Sequence, residues 1–242
     1  MKKRYEYKYH SLEDTNWWFC SRRNIILKFL KRIPTKSKIL DIGCSSGILI
    51  NLLRSRGYKN TYGIDISRMS VYLSKKKGIK NVYLKRGEKT GFPENKFDIV
   101  ICSDVLEHIK NEKKAVLEWR RILKMKGKII CFTPAFNFLW SSHDIENMHY
   151  RRYSKNRLCS LFKKNGYSII RSSYWNSLLF FPMLIIHFMN FILSKSSSDK
   201  LYLLNRFSNS IIFNLLKVEN TIISKGIDFP FGISVFIIAE KI

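Results

Sequence analysis

Residues 38–53, KILDIGCSSGILINLL, decide how this chain folds, because they read as a buried strand that turns through glycines straight into a helix. Ile39, Leu40 and Ile42 suit a short strand inside a parallel sheet. Asp41 sits among them as a carboxylate that needs a partner if it is buried. Gly43 and Gly47 can take backbone angles closed to other residues and let a ligand approach the main chain. A helix over 48–56 points its free N–H groups back at whatever fills the turn. Asp65 closes the next strand about 20 residues further on, where the hydroxyls of a ribose would be gripped. Together these residues describe a pocket for an adenosine-containing ligand.

A phosphate is the usual guest at such a helix start, but the turn lacks both the Lys-Ser/Thr ending of a P-loop and the spacing GxGxxG. The acid before the turn argues for a ligand that brings an amino group. S-adenosylmethionine suits it: the amino group pairs with Asp41 and the carboxylate faces the helix N-terminus. An ordinary strand-to-helix turn is the competing reading of an isolated DxGxxxG. Three further segments weigh against it. TYGIDIS (61–67) is a strand ending in Asp65, whose two oxygens can accept both ribose hydroxyls. NVYLKRGEKTGFP (81–93) reads as a third strand and a loop carrying Glu88, placed to accept from an adenine amino group. FDIVICSDVLEHI (97–109) and GKIICFTPAF (127–136) supply a fourth and a fifth strand.

In this order the motifs resemble the class I S-adenosylmethionine-dependent methyltransferases, of the kind grouped as methyltransferase type 11/23, over most of the chain. The resemblance implies that Asp41, Gly43 and Gly47 hold the methionine end, Asp65 the ribose, Glu88 the adenine, and the backbone near Ser103 the rest. Cys44 and Ile66 fall in the same set of cofactor-binding positions. Two departures stand out: Ser45 replaces a common glycine, and Glu88 replaces the more usual aspartate. The LEHI ending resembles the branch that methylates small molecules, quinone precursors and lipids. The implied fold is α/β, Rossmann-like, with a seven-stranded mainly parallel sheet whose last strand, 233–240, is antiparallel at the edge.

The 242 residues contain 44 Lys and Arg against 18 Asp and Glu, a formal net charge of +26, with 45% hydrophobic residues. In so acid-poor a chain, Asp41, Asp65, Glu88, Asp98, Asp104 and Glu107 cluster in the motif segments. Length and composition fit one methyltransferase domain: a helical cap (1–36), a core (37–175 and 232–242) and an inserted helical hairpin (176–231). The five cysteines show no CxxC spacing, which reads as reduced thiols of a cytoplasmic protein and makes a zinc site, or any metal, an unexpected feature. The basic start has no apolar run behind it and does not read as a secretory signal.

The charge suits nucleic acid or an anionic membrane surface, or reflects a compositional habit. Nucleic acid is the weaker choice, because SDVLEH stands where amino-methylating nucleic-acid enzymes of this fold carry Asn- or Asp-Pro-Pro-aromatic. The membrane gains from residues 172–194, which lack Lys, Arg, Asp and Glu but carry a polar stripe of Asn176, His187, Asn190 and Ser194. A second helical stretch, 199–224, completes the expected hairpin.

The N-terminal segment carries Trp17, Trp18, Phe19, Arg22 and Arg23, which either line a substrate entrance or anchor a helix across the sheet. The loop 133–153 is dense in His, Trp, Tyr and Arg. Candidate catalytic bases are His143, next to Asp144 as an orienting acid, His108 and His149. Arg151 and Arg152 either bind an acidic group of the acceptor or form a solvated turn. The expected activity is methyl transfer from S-adenosylmethionine to a small-molecule, lipid- or glycan-linked acceptor, in the cytoplasm or on the inner face of the membrane. RNA methylation and a non-catalytic membrane scaffold are the alternatives.

Overall fold

The protein is represented by a computed structural model that describes residues 9–192 and 204–242. Its strands are β1 (Ile39–Ile42), β2 (Thr61–Asp65), β3 (Val82–Leu84), β4 (Phe97–Ser103), β5 (Leu123–Pro134), β6 (Tyr167–Trp175) and β7 (Ser234–Lys241). They form one seven-stranded sheet in the order β3-β2-β1-β4-β5-β7-β6. The first five strands pair in parallel, and β7 runs antiparallel to both β5 and β6. The last strand is thus antiparallel, as expected, but it is not at the edge. Its residues are almost all buried, which suits an interior strand, whereas the alternately exposed β6 takes the edge.

Helices cover both faces: α1 (Trp17–Leu30), α2 (Ile48–Arg54), α3 (Arg68–Lys76), α4 (Glu112–Ile122), α5 (Ser142–Glu146), α6 (Lys155–Lys163), α7 (Phe180–Ile192) and α8 (Arg206–Ser224). Period-two alternation divides the core. Leu40, Ile42, Val100 and Cys102 pack with Trp119 of α4 and Phe162 of α6. Ile39, Ile99 and Ile101 pack on the opposite face with Ile25 of α1, Leu53 of α2 and Leu216 of α8. Polar side chains cap the helices locally: Asn16 accepts from the Trp18 N–H, Ser67 from Ser70 and Asn205 from Ser208.

The apolar run 172–194 divides in two. Residues 172–175 finish β6, because Tyr174 and Trp175 are buried in the sheet, and the helix starts only at Phe180. Glu219 of α8 accepts the N–H groups of Asn176, Ser177 and Leu178 and fixes this break. The second stretch begins at Arg206, and α8 lies along α1, where Asn220 donates to the Ser21 carbonyl and accepts from Trp175 Nε1. The described part of α7 makes no extended contact with α8, and the residues joining them, together with Ser194, lie outside the described residues. Among the described residues no helix is long and apolar enough to cross a membrane.

Candidate active site

The turn after β1 is held open by backbone geometry. Gly43 (φ 72°) and Gly47 (φ 77°) are both left-handed. A Cβ on Gly43 would meet Val105 Cγ2 at 2.4 Å, and one on Gly47 would meet Ile79 Cδ1 at 2.4 Å. Ser45, the unusual member, is left-handed too (φ 47°), a conformation that costs a residue with a Cβ roughly 1–2 kcal/mol. Its tethers offset that: Ser45 N–H donates to Asp65 Oδ2 at 2.9 Å, and Ser74 Oγ donates to the Ser45 carbonyl at 2.9 Å.

Asp41 and Asp65 meet beneath this turn. Asp41 is buried, no described residue hydrogen-bonds to its carboxylate, and its pKa is pushed up to about 8 by burial first and by Asp65 and Glu13 second. Asp65 uses one lone pair on each oxygen, accepting from Ser45 and, at 2.8 Å, from the Ser67 N–H. Burial raises the Asp65 carboxyl, against the pull of these two bonds.

The helical cap expected over 1–36 reaches these acids through residues that the sequence reading did not single out. Residues 9–12 form a helical turn, and Glu13 follows, almost fully buried. Burial pushes the Glu13 carboxyl up, but hydrogen bonds from His10, Ser46 and Ser45 outweigh it and hold the group below its usual value. His10 Nδ1 lies 3.1 Å from Glu13, and the Tyr9 hydroxyl is pushed well up by burial, then by Glu13, Asp104 and Asp65. A signal existed: Glu13 and Asp14 are the two acids of a stretch, 9–21, that has no Lys or Arg in an otherwise basic chain.

The other expected cofactor positions divide. Ile66 stands 71% exposed beside Asp65, an apolar surface without cover. Cys44 turns its thiol into the core, where a Cβ on Gly63 would lie 2.6 Å from Sγ, and its N–H is taken by the Ile64 carbonyl. Glu88 is bound by Arg86 at 2.6 Å. Ser103 ends β4, and its hydroxyl donates to Asp104 Oδ2 at 3.1 Å.

Beyond β4 the chain enters a short helical turn, Leu106–His108. Glu107 is buried, and no other described residue hydrogen-bonds to either of its carboxylate oxygens. His108 and His149 meet edge to face with centroids 4.6 Å apart. Burial, then His149, pushes the His108 imidazolium down to about 3, so the ring is neutral and a weak base at neutral pH. His149 Nδ1 is bonded to Asp144 at 2.9 Å. Asp144 was expected to orient His143; it holds His149 instead, because adjacent residues on a helix point in different directions. Burial alone would raise the Asp144 carboxyl, yet bonds from His149, Arg152 and the Ser141 N–H hold it well below the usual range. His143 contacts the Asn147 amide and lies 6.0 Å from His149, ring to ring.

Neither arginine of the loop is a free anion clamp or a solvated turn. Arg152 is buried and donates twice to Asp144 at 2.8 Å, and Arg151 donates to Glu112 at 3.0 Å. The aromatic N-terminal segment anchors its helix. Arg22 lies over the rings of Trp175 (4.1 Å) and Phe132 (4.2 Å) and donates to Ser234 and Asp104, while its Nε and Nη1 have no partner.

A parallel sheet with its glycine turn, paired acids and lid at the carboxyl ends of β1, β2 and β4 defines a Rossmann-like enzyme for an adenosine-containing cofactor. A family model described as a methyltransferase domain matches residues 18–172, and the chain belongs to that family, the S-adenosylmethionine-dependent methyltransferases of class I. An uncharacterised protein of Methanocaldococcus jannaschii is 32% identical over 171 residues, 69% of this chain and 70% of the relative. The ubiquinone biosynthesis O-methyltransferase of Rickettsia felis is 32% identical over 104 residues, 41% of this chain and only 42% of that enzyme's length. The structure of Haemonchus contortus phosphoethanolamine N-methyltransferase 2 with S-adenosyl-L-methionine matches with a TM-score of 0.66 at 19% identity, over 98% of this chain and 56% of that one, and shares the fold.

Proposed function

We propose that this methyltransferase acts on an oxygen of a small-molecule, lipid-linked or glycan-linked acceptor, at an anionic membrane surface on the cytoplasmic side. The observation that carries the donor half is Asp41, a buried carboxylate without a hydrogen-bond partner among the described residues, beside a turn in which a Cβ on Gly43 or Gly47 would clash. It fits the amino group of S-adenosylmethionine, whose sulfonium supplies an electrophilic methyl group. Asp65 keeps a free lone pair on each oxygen for the ribose hydroxyls. Ile66 offers its exposed face to the adenine, Glu88 accepts from the adenine amino group in competition with Arg86, and the main chain at Gly43, Gly47 and Ser103 completes the cradle. Cys44 contributes by packing. Tyr9, His10 and Glu13 exclude water from the donor side, which strengthens each of these contacts.

The acceptor enters on the side of Glu107, His108 and His149. Val105, which closes on Gly43, leads directly into this turn, so donor and acceptor elements are one residue apart along the chain. His108 and His149 are the residues we place against the acceptor oxygen, with His143 behind them. The membrane half rests on α7, which exposes Phe181, Ile185, Ile186, Phe188 and Met189 in a chain of net charge +26.

Calorimetry with S-adenosylmethionine tests the donor site. Asp65→Ala is expected to weaken binding roughly 100-fold, about 3 kcal/mol, and unchanged affinity overturns the ribose assignment. Flotation tests the membrane half: the chain should rise with phosphatidylglycerol vesicles and not with phosphatidylcholine, and Ile185→Asp with Phe188→Asp should abolish this. Equal recovery of wild type and variant removes α7 from the proposal.

A further inference from the structure

We propose that Glu107, His108 and His149 form a binding site for one divalent transition-metal ion at the acceptor end of the methyl-transfer site. This rests on the acceptor reading above and states how those histidines act.

Glu107 carries the inference. It is 1% exposed, and no other described residue hydrogen-bonds to either carboxylate oxygen. Burying a carboxylate in that state costs several kcal/mol unless a cation or donors meet it. Arg22, whose charge reaches Glu107, donates from Nη2 to Asp104 and Ser234, and its Nε and Nη1 make no hydrogen bond to Glu107. One ligand atom from each of Glu107, His108 and His149 lies within 4.8 Å of the other two. Tetrahedral ligands about 2.1 Å from a common ion stand about 3.4 Å apart, so closing on an ion takes a movement of up to about an ångström.

The surroundings of both rings are those of metal ligands. His149 Nδ1 is bonded to Asp144, which leaves Nε2, and Asp144 is itself fixed by Arg152 and the Ser141 N–H. His108 donates from one ring nitrogen to the Asn147 carbonyl, which leaves the other. An outer acceptor on each imidazole sets its tautomer and orientation, as metal-ligating histidines require. The Tyr150 N–H, one residue past His149, donates to the Glu107 carbonyl at 2.9 Å and holds the loop against the turn.

Two imidazoles and one carboxylate suit Zn²⁺, Co²⁺, Fe²⁺ or Mn²⁺, whereas Mg²⁺ and Ca²⁺ favour all-oxygen sites. Three protein ligands leave a position open for substrate. The ligand class this selects is an acceptor hydroxyl whose oxygen binds the ion. That hydroxyl gives its proton to solvent, its oxygen pair forms the new C–O bond, and the C–S bond of the donor breaks with the pair remaining on sulfur. Cysteine spacing gave no sign of a metal because the ligands are histidines and a glutamate, brought together only when the loop after β5 folds back onto the turn after β4.

The test is titration of the chelator-treated full chain with Co²⁺, followed by its visible ligand-field absorption, with Zn²⁺ in competition. One ion per chain is expected, with binding weakened at least 100-fold in Glu107→Gln and in His149→Ala, and 10- to 100-fold in Asp144→Asn. S-adenosylmethionine affinity, read on the same samples, reports that each variant is folded. No stoichiometric Co²⁺ binding by the wild-type chain, or the same affinity in folded His149→Ala, overturns the site. Wild-type cofactor binding without metal binding overturns the ion alone and leaves the donor assignment standing. Co²⁺ binding without cofactor binding overturns the donor assignment instead.

Discussion

The donor end of the site takes its shape from residues 39–67, where a strand, a turn and the next strand lie close in sequence. The acceptor end instead gathers Glu107, His108, Asp144, His149 and Arg152 from a turn after β4 and a loop after β5. At the donor end, left-handed backbone at Gly43 and Gly47 fixes the geometry, and the acids project from strand ends. At the acceptor end, geometry comes from buried charge pairing with charge across the loop. A site made from backbone tolerates few residues but keeps its form with little outside help. A site made from paired charges fails as a unit when one partner is removed.

Arg152→Ala tests that contrast with the largest effect. It leaves Asp144 as an uncompensated buried charge and is expected to cost about 3–5 kcal/mol in urea unfolding, while the folded fraction keeps S-adenosylmethionine affinity within about threefold. A parallel collapse of cofactor affinity would join the two ends into one unit and erase the contrast. Gly43→Ala comes next. The added methyl meets Val105 in a left-handed backbone, so about 2–4 kcal/mol of stability and most cofactor binding should be lost together. Retention of both would mean that the turn yields easily.

The smallest effect is a proton. The Asp41 carboxyl sits at about 8 in the folded chain, so between roughly pH 4 and 8 folding retains a proton that the unfolded chain has released. This group's contribution to stability is therefore fully present below about pH 4 and is lost as pH rises through about 8. The amino group of the cofactor takes the proton's place, and binding at pH 7 should release close to one proton. Calorimetric enthalpies in buffers of different ionisation heat measure this release. Asp41→Asn should remove it, and a buffer-independent wild-type enthalpy would sink the pairing.

The same contrast explains what could be read from the sequence. DIGCSSG and GID are local signals, so the parallel core, the donor turn and the meeting of Asp41 with Asp65 were legible. Asp144 was attached to its sequence neighbour His143 because the fold-back that delivers it to His149 leaves no periodic trace. Within the apolar run 172–194, Tyr174 and Trp175 pass toward α7 through Asn176 and Ser177, without a glycine or proline to mark the break. Glu88 was legible as a motif position, but its pairing with Arg86 was not.

The place of β7 between β5 and β6 has a consequence for how the chain is made. Among the described strands β7 is the one that pairs with β6, beside a single bridge from Tyr174 to Phe229, so most of its hydrogen-bonding edge and the rings of Tyr174 and Trp175 cannot settle until residues 234–241 arrive. Synthesis at about 5–20 residues per second leaves that surface waiting for several seconds while residues 176–233 are added. During that interval the nascent protein presents an unpaired strand beside the apolar segment of α7, a combination that invites capture by a chaperone or by a neighbouring nascent chain.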